Sequence, residues 1–191
     1  HLARALTHPD INVARVALYH PRLDAHALLA LMAGPHSEQL QHEALGSNLV
    51  DSRHLVALHN TVKEFPSSHR TALLEAIGRH PALDAHTLTD FYQDPEGQIP
   101  KVTLLTHPNA PGELINKVLL DHLEQPGDPG LAKLAQRAAR HPQADPKLLH
   151  RALIEGKLPL RLAASTNPVV GPDTIETVLR AGTVPKLDDP D

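Results

Sequence analysis

A recurring proline-containing turn is the feature that most constrains how this chain of 191 residues can fold. Six dipeptides, which we call anchors, occupy equivalent positions: His20-Pro21, Ser47-Asn48, His80-Pro81, His107-Pro108, His141-Pro142 and Asn167-Pro168. The spacings between them are 27, 33, 27, 34 and 26 residues, so short and long intervals alternate. Because proline disfavours helical geometry in the residue before it, each anchor predicts the end of one helix and a turn toward the next. The pattern predicts about six repeats.

Each repeat also carries a signal for the start of a second helix. A cap position four residues after the anchor holds Asp in four repeats, at Asp24, Asp51, Asp84 and Asp145. Aspartate accepts hydrogen bonds from the free amides of a first helical turn. Before each anchor, Ala and Leu recur at helical spacing. We therefore predict a structural role, in turns and caps, for a set of nine residues: His20, Asp24, Asp51, His80, Asp84, His107, His141, Asp145 and Asn167.

The composition favours an all-α fold. Apolar residues make up 41% of the chain, yet it has only two Phe, two Tyr and no Trp, so Leu, Ala, Val and Ile must form the core. Such a core suits close helix packing better than a sheet. One short helical pair cannot bury its apolar face alone, whereas stacked pairs can. We predict an α-solenoid as a single array over residues 1–182, followed by a polar C-terminal tail at 183–191.

Residues 8–34, HPDINVARVALYHPRLDAHALLALMAG, resemble the leucine-rich repeat variant. Units of this family pair an Asp-Pro-like turn with a Val-Arg-x-x-Val-Ala segment, an Asn-Pro turn and a Leu-rich helix. The likeness recurs at 94–119 and at 156–179. It implies a right-handed superhelix in which α-helices alternate with short 3₁₀ or irregular helices. This chain departs from the family pattern because every second unit is longer, nearer a HEAT-like helical pair, and because His often replaces the Asn of the turn.

The chain has 15 histidines, which raises the question of a metal site. Equivalent positions in adjacent layers of a solenoid lie about 8–10 Å apart, whereas metal ligands converge to ~2.0–2.2 Å from one ion. The anchor histidines therefore cannot share a metal, and we predict no metal and no cofactor. A separate local set, His80, Asp84 and His86, leaves a metal site open as an alternative.

No motif predicts catalysis. The chain has no cysteine, no Gly-x-Ser-x-Gly nucleophile elbow and no glycine-rich phosphate loop. We assign no catalytic residue, and the interpretation leans away from an enzyme. Since the chain begins inside an apparent repeat, HLARALTHP, we expect it to be a fragment of a larger protein. The lack of a signal peptide or of a long apolar segment favours a cytoplasmic location and predicts no membrane partner.

Charge is the one functional asymmetry in the sequence. Residues 1–130 carry a net charge of −6 and residues 131–191 a net charge of +2. The second part contains a basic strip, predicted to bind an anion or a partner, at Lys133, Arg137, Arg140, Lys147, Arg151 and Arg161. The leading hypothesis is a non-enzymatic scaffold that binds another protein. The alternative is a nucleic-acid-binding repeat that uses this strip.

Overall fold

The computed structural model describes residues 1–47, 49–62, 67–96 and 98–180, and within these ranges all regular secondary structure is helical. The all-α prediction is confirmed for this part of the chain. The predicted tail at 183–191 and the second residue of the Ser47-Asn48 anchor lie outside the described residues. None of the described helices has the length and apolar character needed to cross a membrane.

The chain forms two compact units, His1–Asn109 and Ala110–Asp191. The described part of the first unit holds eight helices: α1 Leu2–Leu6, α2 Ile11–Leu18, α3 Ala25–Met32, α4 Ser37–Leu45, α5 Ser52–Thr61, α6 Ser67–Gly78, α7 Ala85–Gln93 and α8 Lys101–Leu105. That of the second unit holds five: α9 Gly112–Glu124, α10 Pro129–Ala139, α11 Pro146–Glu155, α12 Leu158–Ser165 and α13 Pro172–Arg180. From α2 to α12, every even-numbered helix ends two residues before an anchor.

The four Asp residues of the cap position are helix N-caps. Asp24 accepts a hydrogen bond from the backbone N–H of Ala27 at 2.7 Å and starts α3. Asp51, Asp84 and Asp145 cap α5, α7 and α11 in the same way. Since the backbone N–H of Thr87 bonds the Asp84 carboxylate, it holds the pKa of Asp84 below its usual value. These caps satisfy amides that a helix start otherwise leaves unpaired.

Every helix of the first unit contributes to one hydrophobic core. At least one large side chain from each is fully buried there, among them Leu6, Leu18, Leu28, Leu40, Leu55, Ile77, Leu88 and Leu104. Full burial of such a side chain contributes about 1.5–3 kcal/mol. The core is thus shared among helices that are individually too short to be stable in water.

In the second unit the odd- and even-numbered helices form two rows. In one row α9 packs on α11 and α11 on α13; in the other, α10 packs on α12. Contacts of α10 with α9 and of α11 with α12 join the rows. The face of α10 toward this core carries Ala135, Ala138 and Ala139, all fully buried. Their small side chains allow neighbouring helices to approach closely.

Candidate functional site

The anchor histidine His80 forms two hydrogen bonds that fix its chemical state. Its Nδ1 accepts the backbone N–H of Ala82 at 3.1 Å. Because a backbone N–H can only donate, Nδ1 carries no proton and the neutral ring is protonated at Nε2. Nε2 then donates to the carbonyl oxygen of Leu45, 35 residues earlier in the chain. The side chain is buried, with 8% of its surface exposed, and links two repeats through one ring.

His107 repeats this arrangement one repeat later. Its Nδ1 accepts from the N–H of Asn109 at 3.1 Å, and its Nε2 donates to the carbonyl oxygen of His80 at 3.0 Å. The side-chain amide of Asn109 adds a donor to the Leu83 carbonyl at 2.9 Å. The anchor residues His80 and His107 are therefore in direct hydrogen-bond contact.

Asn167 plays the same part in the second unit. Its Oδ1 accepts the N–H of Val169 at 2.9 Å, and its Nδ2 donates to the carbonyls of Ala139 and His141 at 2.7 and 2.8 Å. His141 accepts the N–H of Gln143 on its Nδ1 at 3.2 Å. An amide side chain thus reproduces both functions of the anchor imidazole.

His20 occupies the same slot but differs in its surroundings. It is exposed, and its Nδ1 accepts the N–H of Arg22 at 3.1 Å. The bond from the N–H two residues after the histidine is therefore local and independent of burial. The bond to an earlier repeat is the feature that distinguishes His80 and His107. Because both ring nitrogens of these two residues are engaged, neither has a lone pair available to a metal.

A pH dependence follows from the environment of His80. Burial, together with the nearby His107, lowers its pKa below the usual value of about 6.5. As the pH falls through that value the unfolded chain takes up a proton that the folded one resists, so the free energy of unfolding falls toward acid pH. We expect His80→Asn to flatten this fall, as measured by urea unfolding at about pH 7.5 and pH 5.5. An unchanged pH dependence would contradict the assignment.

The local set His80, Asp84 and His86 does not converge on one point. Asp84 is engaged as an N-cap, and His86 lies at the surface with its Nε2 3.5 Å from Asp90. In the described part of the chain, no group of three or more His, Cys, Asp or Glu side chains is arranged to hold a metal ion.

The basic strip divides into two kinds of residue. Lys133, Arg137, Arg140 and Lys147 are exposed, and no ion pair with a described residue forms at any of them. Arg151 instead forms a two-pronged ion pair with Glu155, at 3.1 and 2.9 Å.

Arg161 is also engaged within the fold. It donates to the carbonyl oxygens of Gly156 and Ile154, both at 2.6 Å, at the end of α11. Its guanidinium therefore satisfies backbone acceptors that the helix end leaves unpaired. The strip available to a ligand consists of the other four cations.

Sequence analysis missed two cavities, each lined by a buried histidine. In the first unit, a cavity of about 290 Å³ is lined by His59, whose ring stacks on Phe91 with centroids 4.4 Å apart. In the second, one of about 250 Å³ is lined by His122. His122 continues the buried stripe of Ile115, Val118 and Leu119 on α9. A polar residue in an apolar stripe was the available signal.

Comparison of the chain with protein-family models, with curated proteins and with solved structures finds no match.

Proposed function

We propose that the protein is a non-enzymatic helical-repeat scaffold of the α-solenoid kind, whose surface binds another protein. The supporting observation is a set of hydrogen bonds from buried anchors to the preceding repeat, from His107 to His80 and from His80 to Leu45 in the first unit. Asn167 makes the equivalent contact to His141 in the second unit. Repeats joined in this way within a unit offer a repeated surface, which suits an extended partner.

The right-handed superhelix implied by the leucine-rich repeat variant is part of the same proposal. Both segments of each described repeat are α-helical, and the pre-anchor helices reach 11 residues in α10 and 12 in α6. This favours the HEAT-like side of the resemblance, in which each repeat is a pair of helices.

Protein capture tests the scaffold proposal. The immobilised chain is expected to retain a partner protein after treatment with nuclease. When this partner and the chain are each purified and mixed in a calorimeter, we expect them to bind again with a defined stoichiometry. Retention that disappears with nuclease, or that fails to reproduce with purified components, would contradict the proposal.

A second candidate function, nucleic-acid binding, is favoured by one observation. Lys133, Arg137, Arg140 and Lys147 are exposed and form no ion pair with any described residue. Lys133 and Arg137 on α10 and its C-cap Arg140 lie at i, i+4 and i+7, and so along one face of the helix. A row of unpaired cations can follow a phosphate backbone.

We expect Arg137→Glu with Arg140→Glu to separate the two candidate functions. If the strip binds nucleic acid, the double variant lowers affinity for duplex or single-stranded probes at least about tenfold at low salt. The slope of log affinity against log salt becomes shallower by about 2, because two phosphate contacts are lost. Electrophoretic mobility shift across a salt series measures both. Arg22→Glu with Arg53→Glu is the control of equal charge change, and equal losses from both pairs would assign any binding to net charge alone.

A further inference from the structure

The cavity lined by His122 lies where three elements of the second unit meet. His122 is near the end of α9, the turn at Pro126–Asp128 leads into α10, and Lys157 precedes α12. The cavity measures about 250 Å³, below the usual range for drug-sized ligands. Its size suits a small molecule or one side chain.

His122 differs from the buried anchor histidines in its hydrogen bonding. Only 4% of its surface is exposed, and its Nδ1 has no hydrogen-bond partner among the described residues. The ring nitrogens of His80 each have one. A buried polar atom without a partner lowers stability, so such atoms are uncommon unless a ligand or water completes them.

Two charged residues of opposite sign, Asp128 and Lys157, line the cavity beside His122. Burial lowers the pKa of His122, and the charge of Lys157 lowers it further, while Asp128 opposes this. The imidazole is therefore neutral near pH 7 and has one N–H to donate. Asp128 is already engaged, since its Oδ1 accepts the N–H groups of Gly130 and Leu131 at 2.7 and 3.2 Å. The Asp128 carboxylate keeps its charge but has its Oδ1 occupied by these amides, and the Lys157 ammonium is the cation of the cavity lining with which an anionic group can pair.

The rest of the cavity lining supplies one more donor and apolar walls. Lys157 is the N-cap of α12. Gln136 supplies a side-chain amide from α10. Most of the other lining is apolar, including Pro126, Pro159 and Leu160. The cavity thus combines a few polar groups with walls that suit a hydrocarbon chain.

We propose that this cavity binds a carboxylate carried on a short hydrocarbon chain. The carboxylate accepts hydrogen bonds from Lys157, from Gln136 and from the His122 imidazole, and the hydrocarbon contacts the proline and leucine walls. Two sources share this chemistry: a free short-chain carboxylate, and the C-terminal or side-chain carboxylate of a peptide. Only the peptide source rests on the proposed scaffold function.

Butyrate is the first probe. Its addition to the isotope-labelled chain is expected to shift the imidazole nitrogen resonances of His122 saturably, with a Kd on the order of 1–10 mM for so small a ligand. Butylamine and butanol, which have the same chain without the carboxylate, are expected to leave them unchanged. No saturation at about ten times that Kd, or equal shifts with all three probes, would overturn the proposal.

Two variants test the assigned residues. Lys157→Gln is expected to weaken butyrate binding about tenfold, whereas Lys133→Gln, an exposed lysine outside the cavity lining, leaves it unchanged. His122→Leu, followed through the backbone amide resonances of Gln136 and Lys157, is expected to abolish binding while the chain stays at least as stable, because the partnerless nitrogen is removed. If Lys157→Gln and Lys133→Gln weakened butyrate binding equally, the weakening would be due to net charge and not to a contact in the cavity. A large loss of stability in His122→Leu would make the residue structural and overturn the proposal.

Two pairs of peptides distinguish the sources. A short peptide with a free C-terminus is compared with its amide, and a glutamate-containing peptide with its glutamine counterpart. Binding of butyrate without any peptide identifies a small-molecule site and leaves the scaffold proposal untouched. Carboxylate-dependent peptide binding identifies the site as part of the partner-binding surface.

Discussion

His80→Ala is expected to lower the free energy of unfolding by about 2–4 kcal/mol. The substitution removes the donor to the Leu45 carbonyl and the acceptor for the Ala82 N–H. Both lost bonds lie at a side chain that is almost wholly buried, so water replaces them poorly and unpaired groups remain. The loss also leaves a cavity where the ring was. Urea unfolding followed by circular dichroism measures the change.

Two matched substitutions define the reason for this loss. His20→Ala removes an anchor imidazole that is exposed and bonded to Arg22, so we expect a loss below about 1 kcal/mol. His80→Asn is expected to recover at least half of the His80→Ala loss, because Asn167 accepts and donates in the same slot. Equal effects at His20 and His80 would show that the contact to the earlier repeat contributes nothing.

The helix boundaries were predictable from sequence because their causes are local. A cap such as Asp24 acts on an amide three residues away, and a proline such as Pro81 acts on the residue before it. The ion pair of Arg151 with Glu155 is equally local, since residues four apart share a helix face. Interactions of this range can be recognised from residues that lie only a few positions apart in the sequence.

The contacts between repeats were not predictable because they depend on helix register. His80 reaches Leu45, two residues before the equivalent anchor position, whereas His107 reaches His80 itself. Arg161 was assigned to a ligand-binding strip on its charge, but the turn at Gly156 places two backbone carbonyls within its reach. The cavity at His122 depends likewise on how three elements meet. Each of these contacts depends on distances between elements in the folded chain, and the spacing of residues in the sequence does not give those distances.

Gly156→Ala is the second substitution with a large expected effect. Gly156 ends α11, where its N–H donates to the Ala152 carbonyl at 3.1 Å and its own carbonyl accepts from Arg161. Its φ of −73° is open to any residue, so the need for glycine is steric. A Cβ atom here would fall well inside van der Waals contact with the Ala152 oxygen and 3.0 Å from Leu160 Cδ2.

Of these two neighbours, the Ala152 oxygen is the more restrictive because it belongs to the backbone of α11. Relief requires the end of this helix to move, which lengthens the Gly156–Ala152 hydrogen bond and withdraws the carbonyl that Arg161 uses. We expect a loss of about 2–3 kcal/mol in the free energy of unfolding.

Gly127→Ala is the matched control, because a Cβ there meets nothing within 4 Å. This variant is expected to be neutral or to stabilise the fold by up to about 1 kcal/mol. Urea unfolding of both variants measures the difference. Similar free energies of unfolding for the two variants would show that the end of α11 moves without loss of stability. Close packing at Gly156 would then not be what holds α11 against α12.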